Sequence, residues 1–250
     1  GVNRVRKIMK QLELRCESVK KYRPRTKSKV YELGANLLNR QFKTSILNHA
    51  WVTDITYIYV PKEGFCYLTT VIDLASRKPI GWHFSKSMNT DAAINALKKA
   101  LVNQNFPKNV IVHSDRGSQF TSYDFRSFTK LMNLRQSFSN KGCPYDNAVI
   151  ESFHSLFKKE FVYRYSFSSF EHAKMCIFDY IENFYIRHRQ HSSIGYITPQ
   201  DMENKLKIGT SLRVKGDVQL DPYSKEIVLY PINIMTAESD KRQDSAPVKR

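Results

Sequence analysis

Residues 50–60, AWVTDITYIYV, carry β-branched and aromatic side chains on both faces of any strand they form. Such a strand must be covered by protein on both sides, which places it centrally in a sheet with helices on its faces. The following segments extend that sheet. GFCYLTTVIDLAS (64–76) and KPIGWHFSKS (78–87) read as two more strands joined by short turns. Thr90 and Asp91 suit the cap of a helix through 92–104. A fourth strand is expected over 109–115, a helix over 122–133 and a fifth strand over 134–139. A helix then starts near Asn147 and runs to about Glu160, and a longer one spans 169–189. Three successive strands, followed by strands alternating with helices, predict an α/β domain with a mixed five-stranded sheet flanked by helices. A chain of 250 residues is long enough for one such core with small appendages.

Asp54 is out of place in that first strand, among Val52, Ile55, Ile58 and Val60. A carboxylate in apolar surroundings is costly unless its charge is compensated, and a metal ion is one compensator. Asp115 ends the fourth strand, where Arg116, Gly117 and Ser118 break the apolar pattern. Glu151 lies one turn into the helix that starts near Asn147. There Ile150, Phe153 and Phe157 form the apolar stripe, with Glu151, Ser155 and Lys158 on a neighbouring face. Packed on the sheet, that stripe leaves Glu151 looking toward a strand end. Three carboxylates on three elements suit a hard cation such as Mg²⁺, which takes oxygen ligands and uses few protein carboxylates. Two such ions about 3.5–4 Å apart serve in-line displacement at phosphorus. With 23 acidic residues other triples exist, and Asp73 competes as a strand-end acid.

The charge balance points to a polyanion. Lys and Arg number 40, for a net charge of +17, a field that attracts nucleic acid or an anionic membrane surface. The excess is uneven, since residues 1–29 hold eleven basic side chains against Glu13 and Glu17. Val5, Ile8, Met9 and Leu12 recur at helical spacing, so this part begins as a short amphipathic helix. KKYRPRTKSK (20–29) is too polar to pack and reads as an extended basic linker, with Lys20, Lys21, Arg23 and Arg25 as phosphate contacts. No apolar run approaches the roughly 18 residues that span a bilayer. Cys16, Cys66, Cys143 and Cys176 are scattered, which fits reduced thiols in the cytoplasm better than a disulfide framework or a cysteine zinc site. The first residue is Gly, which suggests a fragment or processed chain.

WVTDITYI, VIDLASRKPIGW, HSDRGSQFTS, GCPYDNAVIESFHSLFKKE and RHRQHSSIGYITPQ occur in this order. Together they resemble the integrase-type transposases of the IS3 family, relatives of retroviral integrases. The 35 residues between Asp115 and Glu151 match the spacing that names the family's DD35E signature. The resemblance implies a ribonuclease H-like core with Asp54, Asp115 and Glu151 as the catalytic, metal-holding acids. It implies Mg²⁺ or Mn²⁺, as two ions, and cleavage of DNA at the element's ends followed by joining of the freed 3′-OH to another phosphodiester. Asp73 is then left to hold the turn before Arg77. The implied partners are element ends, target DNA, further copies of the chain, and a helix-turn-helix protein from a preceding reading frame. The implied location is the bacterial cytoplasm, at the nucleoid. Residues 1–40 read as a basic helical segment and linker, like the end of a helix-turn-helix region. Residues 41–206 read as the integrase core with C-terminal helices. In 207–250, residues 217–232 have a hairpin pattern and the last twenty that of an unstructured tail.

Other residues near these motifs have two readings each. His113 is either a packed strand histidine or one that orients phosphate or metal-bound water from behind the acids. Asn147 is either the N-cap of the Glu151 helix or a partner of the acids. Gly117 reads as a backbone conformation other residues resist. Ser118, Gln119 and Thr121 are candidate DNA-backbone contacts, and so are Ser155, Lys158 and Lys159 along the helix. The loop 140–146 reads as mobile until DNA binds. In RHRQH (187–191) the two histidines lack further ligands, so zinc is not expected.

Overall fold

The computed structural model describes residues 1–14 and 34–214. The linker residues Lys20, Lys21, Arg23 and Arg25, and the expected hairpin at 217–232, lie outside them. Helix α1 (Val2–Gln11) lies in a unit separate from residues 34 onward and buries none of its side chains.

The second unit holds a five-stranded sheet: β1 (Ala50–Val60), β2 (Gly64–Asp73), β3 (Pro79–Ser85), β4 (Ile111–Ser114) and β5 (Arg135–Phe138). Their order across the sheet is β3-β2-β1-β4-β5. β1, β2 and β3 pair antiparallel, while β4 and β5 join parallel to β1 and to each other. β1 is therefore central, as its composition requires, and Trp51, Val52, Ile58 and Val60 are buried. β2 stops at Asp73 because the buried Asp73 carboxylate organises the turn. It accepts from the backbone N–H groups of Ala75 (3.1 Å), Ser76 (2.9 Å) and Asn48 (2.9 Å).

Helix α2 (Thr90–Asn103) packs its small face, Ala92, Ala93, Ala96 and Ala100, against the sheet. The approach is so close that a Cβ on Gly81 would collide with the backbone of Ala96 and Ala100. The cap of α2 is Asn89, one residue before the expected Thr90 and Asp91, and it accepts from Ala92 N–H at 3.0 Å. A short helix α3 (Ser118–Thr121) and α4 (Tyr123–Leu131), capped by Ser122, connect β4 to β5.

Helix α5 (Ala148–Glu160) buries Ile150, Phe153 and Phe157, the stripe read from spacing, together with His154. Those rings join Phe161, Tyr180 and Tyr185 in one aromatic cluster that is continuous with the sheet core. The segment expected as one long helix over 169–189 is α6 (Phe170–Phe178), which widens into a π-helix over Asp179–Tyr185. The reason is visible in burial. Tyr180 and Ile181, then Tyr185 and Ile186, are buried five residues apart. The widening shows in an i→i+5 hydrogen bond, Ile186 N–H to Ile181 O at 3.1 Å, the bond that defines a π-helix. Helix α7 (Pro199–Val214) follows.

Candidate active site

Asp54 and Asp115 meet where β1 and β4 part. The parallel register pairs Ala50 with Ile111 and Val52 with His113. Continued two residues further, it sets Asp54 opposite Asp115, just past the end of β4. Helix α5 crosses this corner with Glu151 in its first turn. All three carboxylates, with Asn147 and the segment 139–143, line one cleft of about 360 Å³.

The charges are crowded. Burial raises the pKa of the Asp115 carboxyl, the Asp54 charge raises it further, and a hydrogen bond from Gly117 N–H (2.9 Å) opposes both. Glu151 is also raised, by burial and then by Asp54, with Asp115 adding to it and His154 opposing. Opposed negative charge at a cleft is what a cation relieves.

Several neighbours differ from the sequence reading. Gly117 has an ordinary φ of −59°. Its small size is what matters, because a Cβ there would stand 2.9 Å from an Asp115 carboxylate oxygen. Asn147 makes no capping hydrogen bond. Its Oδ1 is buried without a hydrogen-bond partner at the cleft wall. His113 is fully buried, with ring nitrogens 2.8 Å from Ser137 Oγ and 3.2 Å from Ser139 Oγ. Both contacts are the kind a packed strand histidine makes.

Lys158 carries its ammonium 3.9 Å from the centroid of the Tyr57 ring. Burial lowers its pKa and the Asp54 charge opposes that shift. Ser118, Ser155 and Lys159 are exposed and stand outside the cleft lining, as does the half-buried Gln119. In RHRQH, Arg189 forms a fork with Glu160 at the end of α5 (2.7 and 2.9 Å), so this motif ties the helix down.

Sequence reasoning missed His154. Its Nδ1 stands 3.4 Å from Asp54 Oδ2, and its buried Nε2 has no partner. The available signal was its spacing, three residues after Glu151 on the buried stripe.

A mixed sheet in this order, with acids from its central strand, from the next strand's end and from a crossing helix, defines an integrase-type core of the ribonuclease H-like class. Comparison with known proteins agrees. Residues 45–144 and 132–199 match two integrase core domain families. The chain belongs to the IS3 family of transposases. It is 41% identical over 206 residues to the transposase InsF for insertion sequence IS3A of Escherichia coli (strain K12), covering 82% of this chain and 71% of that protein. It is 37% identical over 206 residues to the 31 kDa protein of insertion element IS600 from Shigella sonnei, covering 82% and 75%. Among solved structures, a chain of the simian T-cell lymphotropic virus intasome in complex with PP2A regulatory subunit B56 gamma shares the fold. The TM-score is 0.53 at 16% identity, over 78% of this chain and 62% of that one. Among the described residues, no helix is long and apolar enough to cross a membrane.

Proposed function

We propose that this chain cuts DNA at the ends of its element and joins the freed 3′-OH to a target phosphodiester, with Asp54, Asp115 and Glu151 as the catalytic acids. The observation that carries this is the convergence of the three carboxylates on one cleft, with Asp115 and Glu151 held above their usual range by burial and by the Asp54 charge.

The donor set fits Mg²⁺ or Mn²⁺ in chemistry, being three carboxylates, with one thiol, Cys143, elsewhere on the cleft wall and one imidazole, His154, beside Asp54. Among the described residues, no group of three His, Cys, Asp or Glu side chains is already drawn together to hold an ion. Asp54, Asp115 and Glu151 would hold it. When bound, two such ions activate the attacking oxygen and stabilise the leaving one.

The chain's own residues contribute position and charge. Asp54, on the central strand, is the fixed member. Asp115 and Glu151 approach it from a strand end and a helix start. Lys158, two turns along α5 from Glu151, places a cation beside Asp54 and suits a phosphate entering the cleft edge. Lys159, Ser155, Ser118 and Gln119 lie farther out, where they would follow the DNA backbone. In the first step water adds to phosphorus and the 3′ oxygen leaves as a hydroxyl. In the second, that hydroxyl displaces the 3′ oxygen of a target phosphodiester. The first step is a hydrolysis, which runs downhill, and in the second one phosphodiester forms for the one broken, so no energy-rich cofactor is required. The net charge of +17 favours both duplexes. Two element ends require at least two copies of the chain. Recognition of the end sequence falls to a helix-turn-helix partner, and the working location is the bacterial nucleoid.

The test is a joining assay with labelled element-end duplexes, plasmid, and Mg²⁺ or Mn²⁺. Label transferred to plasmid by the wild type, and lost in Asp115→Asn and Glu151→Gln, is the expected outcome. Cleavage without transfer would reduce the chain to a nuclease.

A further inference from the structure

One wall of the cleft is loop. Residues 139–143 and Asn147 form it, and the same loop leads through a turn at Pro144–Asn147 into α5 and Glu151. Its internal ties are few, with Cys143 N–H to Asn140 O at 3.1 Å and Asp146 N–H to Cys143 O at 3.2 Å. Gly142 adds a left-handed φ of +75°. What anchors this loop is Asp146, 1% exposed.

Asp146 Oδ2 accepts from the Asn140 backbone N–H at 2.9 Å, which closes the loop on itself. Oδ2 also accepts from Asn36 Nδ2 at 3.0 Å, and Oδ1 from Arg40 Nε at 2.7 Å. Both outside donors come from a strap, residues 34–40, more than 100 positions earlier in the chain. The strap is itself pinned to β5. Leu37 N–H donates to Ser137 Oγ at 2.9 Å, and Phe138 N–H to Ala35 O at 3.4 Å. Asn39 and Arg40 hold φ values of +43° and +60°, a left-handed conformation uncommon outside glycine. Such backbone persists where surrounding contacts over-determine it. The Arg40 guanidinium keeps the Asp146 carboxyl below the usual carboxylate range, so it remains the charged acceptor.

We propose that Asp146 is a positioning residue for Glu151: the strap grips its carboxylate and thereby fixes the cleft wall and the start of α5. The role assigned to Glu151 rests on the function proposed above. The grip itself does not.

Cys143 supplies a direct readout. It is a half-buried free thiol on the loop. Its rate of labelling by a thiol reagent, followed by peptide mass spectrometry, needs no DNA, metal or turnover. Because Arg40 also interacts with this thiol, labelling reports loop order alone in Asp146→Asn, and loop order together with the lost Arg40 contact in Arg40→Ala. Arg40→Ala is the main variant, because the Arg40 side chain is 54% exposed and its removal opens no core. Asp146→Asn is the second. In Arg40→Ala, Cys143 labelling should accelerate and kcat for joining should fall, each by about tenfold, the effect of losing one charge-assisted hydrogen bond. KM for DNA ends should change little, Cys176 should label at its wild-type rate, and Arg40→Lys should recover most of the loss. Unchanged Cys143 labelling in Asp146→Asn would overturn the proposal, whatever Arg40→Ala shows. So would a rise in KM alone, which would make Arg40 a DNA contact. If labelling responds as expected but the wild type joins no DNA, the grip on the loop stands and the proposed chemistry falls.

Discussion

The two ends of α5 follow opposite principles. Its C-terminal half is locked. Phe153, Phe157 and Phe161 stack among Tyr180 and Tyr185, and Glu160 is held by Arg189 and by the Tyr180 hydroxyl at 2.9 Å. Its N-terminal turn buries Ile150 but leaves its polar groups unrelieved. Asn147 leaves a buried oxygen unpartnered, and Glu151 faces like charge from Asp54 and Asp115. Stability is concentrated at one end and unrelieved charge at the other. The locked end gives the crowded end a fixed base, so that repulsion among the acids does not push the helix away.

The largest effect that separates the ends is on activity. Asp115→Asn and Glu151→Gln should each lower joining by about 10³-fold or more, with the fold intact by circular dichroism. Next comes Phe157→Ala, at the locked end. It should cost about 3–5 kcal/mol, read in denaturant melts, and should remove activity only by unfolding the chain. If it lowered joining while leaving stability unchanged, the division between the ends would be wrong. Glu160→Gln should cost about 1–2 kcal/mol, below the value of a fully buried pair because both partners keep some solvent contact. Arg189 lowers the Glu160 pKa, so this contribution is present above the unfolded glutamate range and is lost as pH falls through the lower folded value.

The smallest effect has the opposite sign. Asp115 and Glu151 have folded pKa values raised above their unfolded ones. Their burden on the metal-free fold is absent below the unfolded values, grows as pH rises from the unfolded to the folded values, and is constant above them. Asp115→Asn should therefore melt about 1–3 °C above wild type near neutral pH, a modest gain because both groups retain solvent exposure. The gain should vanish below about pH 4. A mutation that abolishes joining while stabilising the protein would mark the crowded end as built for something other than folding.

Much of this was legible in the sequence because it is local. Period and composition revealed β1 as the central strand and Ile150, Phe153 and Phe157 as the buried stripe of α5. The three acids became a defensible set only when the 35-residue interval and the ordered motifs were added to the strand count. What escaped depends on contacts between distant positions. Asp146 looks like an ordinary turn residue until Arg40 and Asn36 are found against it. His154 looks like one more member of a stripe until Asp54 lies beside it. Asn147 has the composition of a cap, but the 3₁₀ turn before α5 aims it into the cleft instead. The π-helix left a trace in the paired spacing of Tyr180–Ile181 and Tyr185–Ile186, which a search at 3.6 residues per turn passes over.

The interval between Asp115 and Glu151 can now be read as a length of road. It runs through α3 and α4, crosses the sheet once in β5, and returns by the loop that Asp146 closes. The helices and the strand are held by packing, and the loop has few internal ties apart from Asp146, so an added or missing residue would be absorbed at least cost there. Chains with this architecture should accordingly vary in that loop while keeping the rest of the route unaltered, and each such change would have to preserve a grip for the strap.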